Sequence, residues 1–102
     1  SCFNIERKEN YNFLFELEKI INERKNELPE DSYTAKLFKE GKDRIIQKVG
    51  EEAIETVIAS KNDSRDRMIN ETSDLIYHLL VLLAELDIPF NEIINCLKER
   101  HK

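Results

Sequence analysis

The sequence predicts an all-α domain: an antiparallel bundle of about five helices, completed by homodimerisation. Three observations carry this. Only two glycines and two prolines interrupt 102 residues, and the alternation expected of strands is hard to find. Apolar residues recur at helical spacing through most of the chain. One segment, from Met68 to Leu86, is apolar on more than one side, and a chain this short has little of its own with which to cover such a helix.

The elements follow in order. Residues 1–10 read as a tail or linker and 11–102 as one domain. A first amphipathic helix is expected from Tyr11 to Asn26, with Leu14, Leu17, Ile20 and Ile21 on one face and Phe13 beside them. Leu28-Pro29-Glu30-Asp31 ends it. Ser32 is an N-cap for a short second helix from Tyr33 to Glu40, which Gly41 stops. A third helix runs from about Asp43 to Ser60. Gly50, in its interior, suggests close approach of a backbone or a ligand, or a tolerated defect. Ser60-Lys61-Asn62-Asp63-Ser64 is a turn, and Ser64 or Asp63 caps a fourth helix to about Glu85. Asp87-Ile88-Pro89-Phe90 turns the chain, and Asn91 is expected to cap a last helix with Ile93, Ile94 and Leu97 facing inward.

The chemistry concentrates in Lys48-Val49-Gly50-Glu51-Glu52-Ala53-Ile54-Glu55 and Glu71-Thr72-Ser73-Asp74. At about 100° per residue, Lys48, Glu52 and Glu55 form one stripe with Glu51 at its edge. Glu71 and Asp74 repeat the three-residue spacing on the next helix. Counting outward from the turn places Glu55 level with Glu71, and Glu52 level with Asp74. Helices packed roughly 8–10 Å apart would then gather four carboxylates. Such a cluster repels itself, by roughly 0.2–0.5 kcal/mol per exposed pair and more when buried. All-oxygen ligands suit Mg²⁺ or Mn²⁺ better than zinc. Set against this, glutamates on helices are usually a solvated face.

Other residues have two readings each. Lys36, Lys39, Lys42 and Arg44 are ordinary surface cations, or phosphate contacts beside the carboxylates. Tyr77 and His78 lie one turn beyond Asp74; His78 is able to donate to Asp74 or to contact a phosphate, or is a satisfied structural histidine. A net charge of −5 offers no broad basic field to nucleic acid. The apolar run Leu79–Ala84 is too short to span a bilayer. Cys2 and Cys96 lack CxxC spacing, and Cys96 reads as a small apolar residue. A soluble cytoplasmic chain is the expectation.

Glu51-Glu52-x-x-Glu55 followed by Glu71-x-x-Asp74 resembles the signature of the MazG-like all-α nucleoside-triphosphate pyrophosphohydrolases. Ser32-Tyr33-Thr34-Ala35-Lys36-Leu37, Gln47-Lys48-Val49-Gly50-Glu51-Glu52-Ala53 and Asp74-Leu75-Ile76-Tyr77-His78-Leu79-Leu80 resemble, more narrowly, the phosphoribosyl-ATP pyrophosphohydrolases. The resemblance extends over about Phe13–His101. It implies Mg²⁺-dependent hydrolysis of phosphoribosyl-ATP to phosphoribosyl-AMP and pyrophosphate in histidine biosynthesis, with Mn²⁺ as a substitute metal. It further implies Glu52, Glu55, Glu71 and Asp74 as metal ligands, and Glu51 as a further ligand or the base that orients water. Lys48 would hold a phosphate or balance the cluster, and Lys36, Lys42, Arg44, Tyr77 and His78 would contact substrate. Ser1-Cys2-Phe3 resembles the end of a phosphoribosyl-AMP cyclohydrolase domain, which many organisms fuse in front of this one; Cys2 alone cannot build that domain's zinc site. The rival readings are a house-cleaning (deoxy)nucleotide pyrophosphohydrolase and a non-enzymatic helical dimerisation module. A di-iron bundle wants paired Glu-x-x-His motifs, which the chain lacks.

Overall fold

The computed structural model of the chain describes residues 2–62 and 64–102. Ser1, the side chains of Cys2 and Phe3, and Asp63 lie outside the described residues, and with them the Ser-Cys-Phe resemblance and the Asp63 alternative for a cap. Five helices and, among the described residues, no strand make up the fold: α1 (Cys2–Glu27), α2 (Tyr33–Glu40), α3 (Lys42–Ser60), α4 (Arg65–Glu85) and α5 (Phe90–Arg100). The bundle is all-α, as the MazG-like resemblance implies.

The central contact is the antiparallel α3–α4 hairpin, the most extensive in the chain. Ser64 caps α4 by accepting from the Arg67 amide, and α2 begins on Ser32, whose hydroxyl accepts from the Ala35 amide at 3.1 Å. Gly41 ends α2 with φ +102°, a conformation that favours glycine, and its amide returns to Leu37 O at 3.1 Å. This one-residue break turns α2 back beside α3. The core joins four helices: Ile21 from α1, Leu37 from α2, Ile45 from α3, and Leu80, Val81 and Ala84 from α4. Full burial of side chains such as Ile21 or Val81 contributes about 1.5–3 kcal/mol each.

Helix α1 supports the α4–α5 turn at two points. Lys25 Nζ donates to Ala84 O at 2.8 Å and to Asp87 Oδ1 at 2.9 Å, closing the C-terminal end of α4. Asp87 itself adopts φ +57°, and the Ile88 amide reaches back to Leu83 O at 2.9 Å, the helix-terminating pattern usually built on glycine. Two turns earlier on α1, Glu18 Oε2 accepts from the Phe90 amide at 2.7 Å, and Phe15 packs on Phe90 with ring centroids 5.8 Å apart.

Four expectations require correction. Helix α1 begins at Cys2, not Tyr11. Residues 4–12 are exposed throughout, so this stretch has no packed stripe to read; Glu, Arg and Lys are good helix formers and carry the helix past the bundle. Asn91 does not cap α5: the N-cap position is Pro89, without a side-chain cap, and Glu18 supplies the missing acceptor from another helix. Helix α5 buries no residue, Leu97 is half exposed, and Cys96 is an exposed free thiol. Among the described residues nothing beyond its own helix turn and chain neighbours comes within 4 Å of a Cβ built on Gly50, so no close approach by another described element explains that glycine.

Helix α2 is docked on α4 by a hydrogen bond between the hydroxyls of Thr34 and Tyr77. Burial pushes the Tyr77 phenol above its ordinary value of 10.0, the bond with Thr34 opposes the shift, and nearby Tyr33 adds to it.

Two predictions follow from these contacts. Replacing Glu18 by Ala removes the cap of α5 and is expected to cost about 1 kcal/mol, or roughly 4–8 °C in Tm. Glu18→Gln, which keeps an acceptor, should lose less; urea unfolding and amide exchange at residues 90–93 read both. Because its folded pKa is raised, Tyr77 contributes stability that is fully present below pH about 10 and is lost as the pH rises through the higher folded value. Denaturant titrations at increasing alkaline pH should therefore show the wild type losing stability more steeply above pH about 10 than Tyr77→Phe.

Candidate metal and phosphate site

Helical geometry explains where the carboxylates lie. On α3 the buried residues are Ile45 and Ala59, and at about 100° per residue Glu52 falls between them in direction, on the seam that faces the bundle. Its side chain is only 13% exposed. On α4, Asp74 and Glu71 share a face with the buried His78 and Val81. Packing these two faces together brings carboxylate oxygens of Glu52, Glu71 and Asp74 within 4.8 Å of one another.

A hydroxyl between the helices holds this register. Thr56 Oγ1 lies 2.8 Å from Glu52 O, one turn back on its own helix, and 3.2 Å from Glu71 O on α4. The single hydroxyl proton is shared between the two carbonyls, tying α3 to α4 at the level of the carboxylates. Sequence reasoning passed over Thr56. Its available signal was the position four residues after Glu52, on the inward side of the helix.

The cation nearest the cluster is Lys48. Its Nζ stands 3.5 Å from Glu52 Oε1 and 3.7 Å from Glu51 Oε2, and its side chain is 19% exposed. Glu51 is drawn to the rim: it accepts from Gln47 Nε2 at 3.0 Å and lies 3.8 Å from Arg44 Nη1. Arg44 also pairs with Glu40 at 3.4 Å. Lys48 and Arg44 thus form a cationic edge along α3, each already against a carboxylate.

The remaining expected residues are placed differently. Glu55 is exposed and does not join the three clustered carboxylates. At about 100° per residue it lies roughly 40° beyond Ala59 and roughly 60° from Glu52, on the outer edge of the seam, beside Thr56, which meets Glu71. Lys36 and Lys42 are exposed on α2 and at the start of α3, without an ion pair among the described residues. His78 is buried, and both ring nitrogens have partners inside the chain: Nδ1 is 2.7 Å from Asp74 O, and Nε2 is 3.1 Å from the Tyr33 hydroxyl. Its bond to Asp74 thus goes to the main chain, and the Asp74 carboxylate stays with Glu52 and Glu71. Tyr33, in the Ser-Tyr-Thr segment but given no role from sequence, is half exposed and packs edge-on to His78.

Chemically, three carboxylates converge from two helices, with Lys48 at one side. The donor set is all oxygen and its charge exceeds what Lys48 can balance, a fit to a hard divalent ion.

Comparison with known proteins supplies the family. Residues 14–101 match the phosphoribosyl-ATP pyrophosphohydrolase family. The chain is 57% identical over 102 residues to the histidine biosynthesis bifunctional protein HisIE of Buchnera aphidicola subsp. Acyrthosiphon pisum, covering all of this chain and 47% of that protein. It is 52% identical over 103 residues to HisIE of Campylobacter jejuni, covering all of this chain and 50% of the relative. With HisIE of Bacillus subtilis the identity is 46% over 106 residues, covering 99% and 51%. The chain therefore spans about half the length of these relatives. The match along residues 14–101 and the identities of 46–57% with these relatives place it: the chain belongs to the phosphoribosyl-ATP pyrophosphohydrolase family.

Proposed function

We propose that this chain hydrolyses the bond between the α- and β-phosphates of phosphoribosyl-ATP, releasing phosphoribosyl-AMP and pyrophosphate, as a step of histidine biosynthesis. Family membership supports the substrate. The observation that carries the chemistry is the convergence of Glu52, Glu71 and Asp74 within 4.8 Å across the α3–α4 seam. These three are the residues to hold Mg²⁺, with Mn²⁺ able to substitute; Glu55 is one turn away and joins only through a change of side-chain conformation. Mg²⁺ held there supplies charge neutralisation to a polyphosphate.

The chain's own residues do the rest. Lys48 is positioned to exchange a carboxylate partner for a phosphate oxygen. Glu51, on the solvent side of Lys48, is the residue to orient water. Lys36, Lys42 and Arg44 offer positive charge to the phosphates, and Tyr77 and the buried His78 shape the wall of the site next to Asp74. The unit doing this is taken as residues 11–102, acting beside a phosphoribosyl-AMP cyclohydrolase domain in a fused protein of the HisIE kind. No helix among the described residues is long and apolar enough to cross a membrane, and we place the protein in the cytoplasm.

The working unit in this reading is a homodimer built on α3 and α4. Ile69, Ile76 and Leu79 are 50%, 41% and 40% exposed on the side of α4 away from Asp74, and Ile54 and Val57 of α3 are 63% and 59% exposed. Apolar side chains in that number on neighbouring helices are characteristic of an association surface.

Pyrophosphate release with Mg²⁺ is the test of activity, comparing phosphoribosyl-ATP with a panel of ordinary and deoxynucleoside triphosphates. Release from phosphoribosyl-ATP that EDTA abolishes is expected. Release from a deoxynucleotide instead would overturn the substrate and favour a house-cleaning enzyme. Glu52→Gln and Asp74→Asn should each abolish turnover, leave the fold intact and slightly stabilise the metal-free protein by relieving like-charge repulsion; full activity in both would remove the metal-site assignment. Sedimentation should give a dimer for the wild type and monomers for Ile76→Glu. A wild-type monomer that is fully active would exclude the dimer requirement.

A further inference from the structure

A hydrogen-bond chain runs from α2 to the main chain of a site residue. The Asp74 carbonyl can only accept, so His78 Nδ1, 2.7 Å away, carries the proton. In neutral imidazole Nε2 is then a bare acceptor, and the Tyr33 hydroxyl at 3.1 Å donates to it. Two bonds at opposite ends of a buried ring fix its tautomer and its orientation. Tyr33 is the first residue of α2. Its neighbour Thr34 is bonded to Tyr77, so the position of α2 is transmitted to the turn of α4 that carries Asp74.

We propose that Tyr33 is a positioning residue for the cation site, acting through His78. It holds the 74–78 turn of α4 in the register that sets the Asp74 carboxylate against Glu52 and Glu71. The inference rests on the reading of those three carboxylates as a cation site. The half-exposed ring of Tyr33 allows Tyr33→Phe to remove one oxygen without opening the core. His78→Asn cuts the same chain differently. Asn22 and Asn62 already donate from Nδ2 to the carbonyl four residues back, each at 3.1 Å. An asparagine at 78 can therefore keep the Asp74 bond while being too short to meet Tyr33.

The experiment is Mn²⁺ binding, followed by electron paramagnetic resonance in the absence of substrate, together with the Mg²⁺ dependence of pyrophosphate release. Tyr33→Phe and His78→Asn are each expected to weaken Mn²⁺ binding roughly tenfold, the size typical of outer-shell changes at metal sites. The half-saturating Mg²⁺ concentration should rise in step, with kcat of Tyr33→Phe at saturating Mg²⁺ near that of the wild type. The double variant should bind no more weakly than the weaker single, because both changes cut one chain. Glu18→Ala, destabilised at a distance, should bind Mn²⁺ as the wild type does. Unchanged Mn²⁺ binding in Tyr33→Phe would overturn the proposal, and so would effects that multiply in the double variant, since Tyr33 would then act independently of His78. If His78→Asn fails to fold, Tyr33→Phe alone decides. A wild type that takes up no Mn²⁺ would overturn the cation-site reading and this inference with it.

Discussion

A carboxylate in a helix–helix seam is the constraint on which the rest of the structure depends. Glu52 lies in line with Ile45 and Ala59, the residues α3 buries, and faces Glu71 and Asp74 on α4. Confined like charges must be neutralised or resolvated. Lys48 answers part of that demand from one turn away. The rest is what makes the site suited to a cation. The same seam that closes the bundle therefore carries its chemistry: Glu52 lies midway along α3 between the buried Ile45 and Ala59.

The surrounding elements keep that seam in register. Thr56 bonds across it at the carboxylate level. Helix α2 abuts α4 through Thr34–Tyr77 and Tyr33–His78, directly beside Asp74. At the far end of α4, Lys25 and Glu18 of α1 secure its last turn and the start of α5. These polar contacts are long-range and directional. They select one packing among the many that a set of amphipathic helices allows, whereas the apolar core through Ile21, Leu37, Ile45 and Val81 supplies most of the burial.

The division of labour also accounts for the exposed surface. A chain of 102 residues cannot enclose a helix as apolar as α4 with its own elements. One side of α4 meets the core and the site, and the opposite side is left with Ile69, Ile76 and Leu79 substantially exposed.

By itself the sequence determined the five-helix order, all but the first turns of α1, and the pairing of α3 with α4. Ser32, Gly41 and Ser64 mark helix ends with local chemistry, and local chemistry is what a sequence displays directly. The three-residue spacing of Glu52–Glu55 and Glu71–Asp74 likewise foretold two acidic faces meeting across a hairpin. Tertiary structure alone decided which carboxylates meet. Glu52 lies on the buried seam and Glu55 at its outer edge, because packing selects a direction around the helix that spacing leaves free. It also decided that α5 is capped by Glu18 and not Asn91, and that His78 binds the Asp74 main chain and Tyr33. Each of these joins residues distant in the chain or chooses among rotamers. The partner in such contacts is set by how helices dock, and no local pattern of residues encodes it.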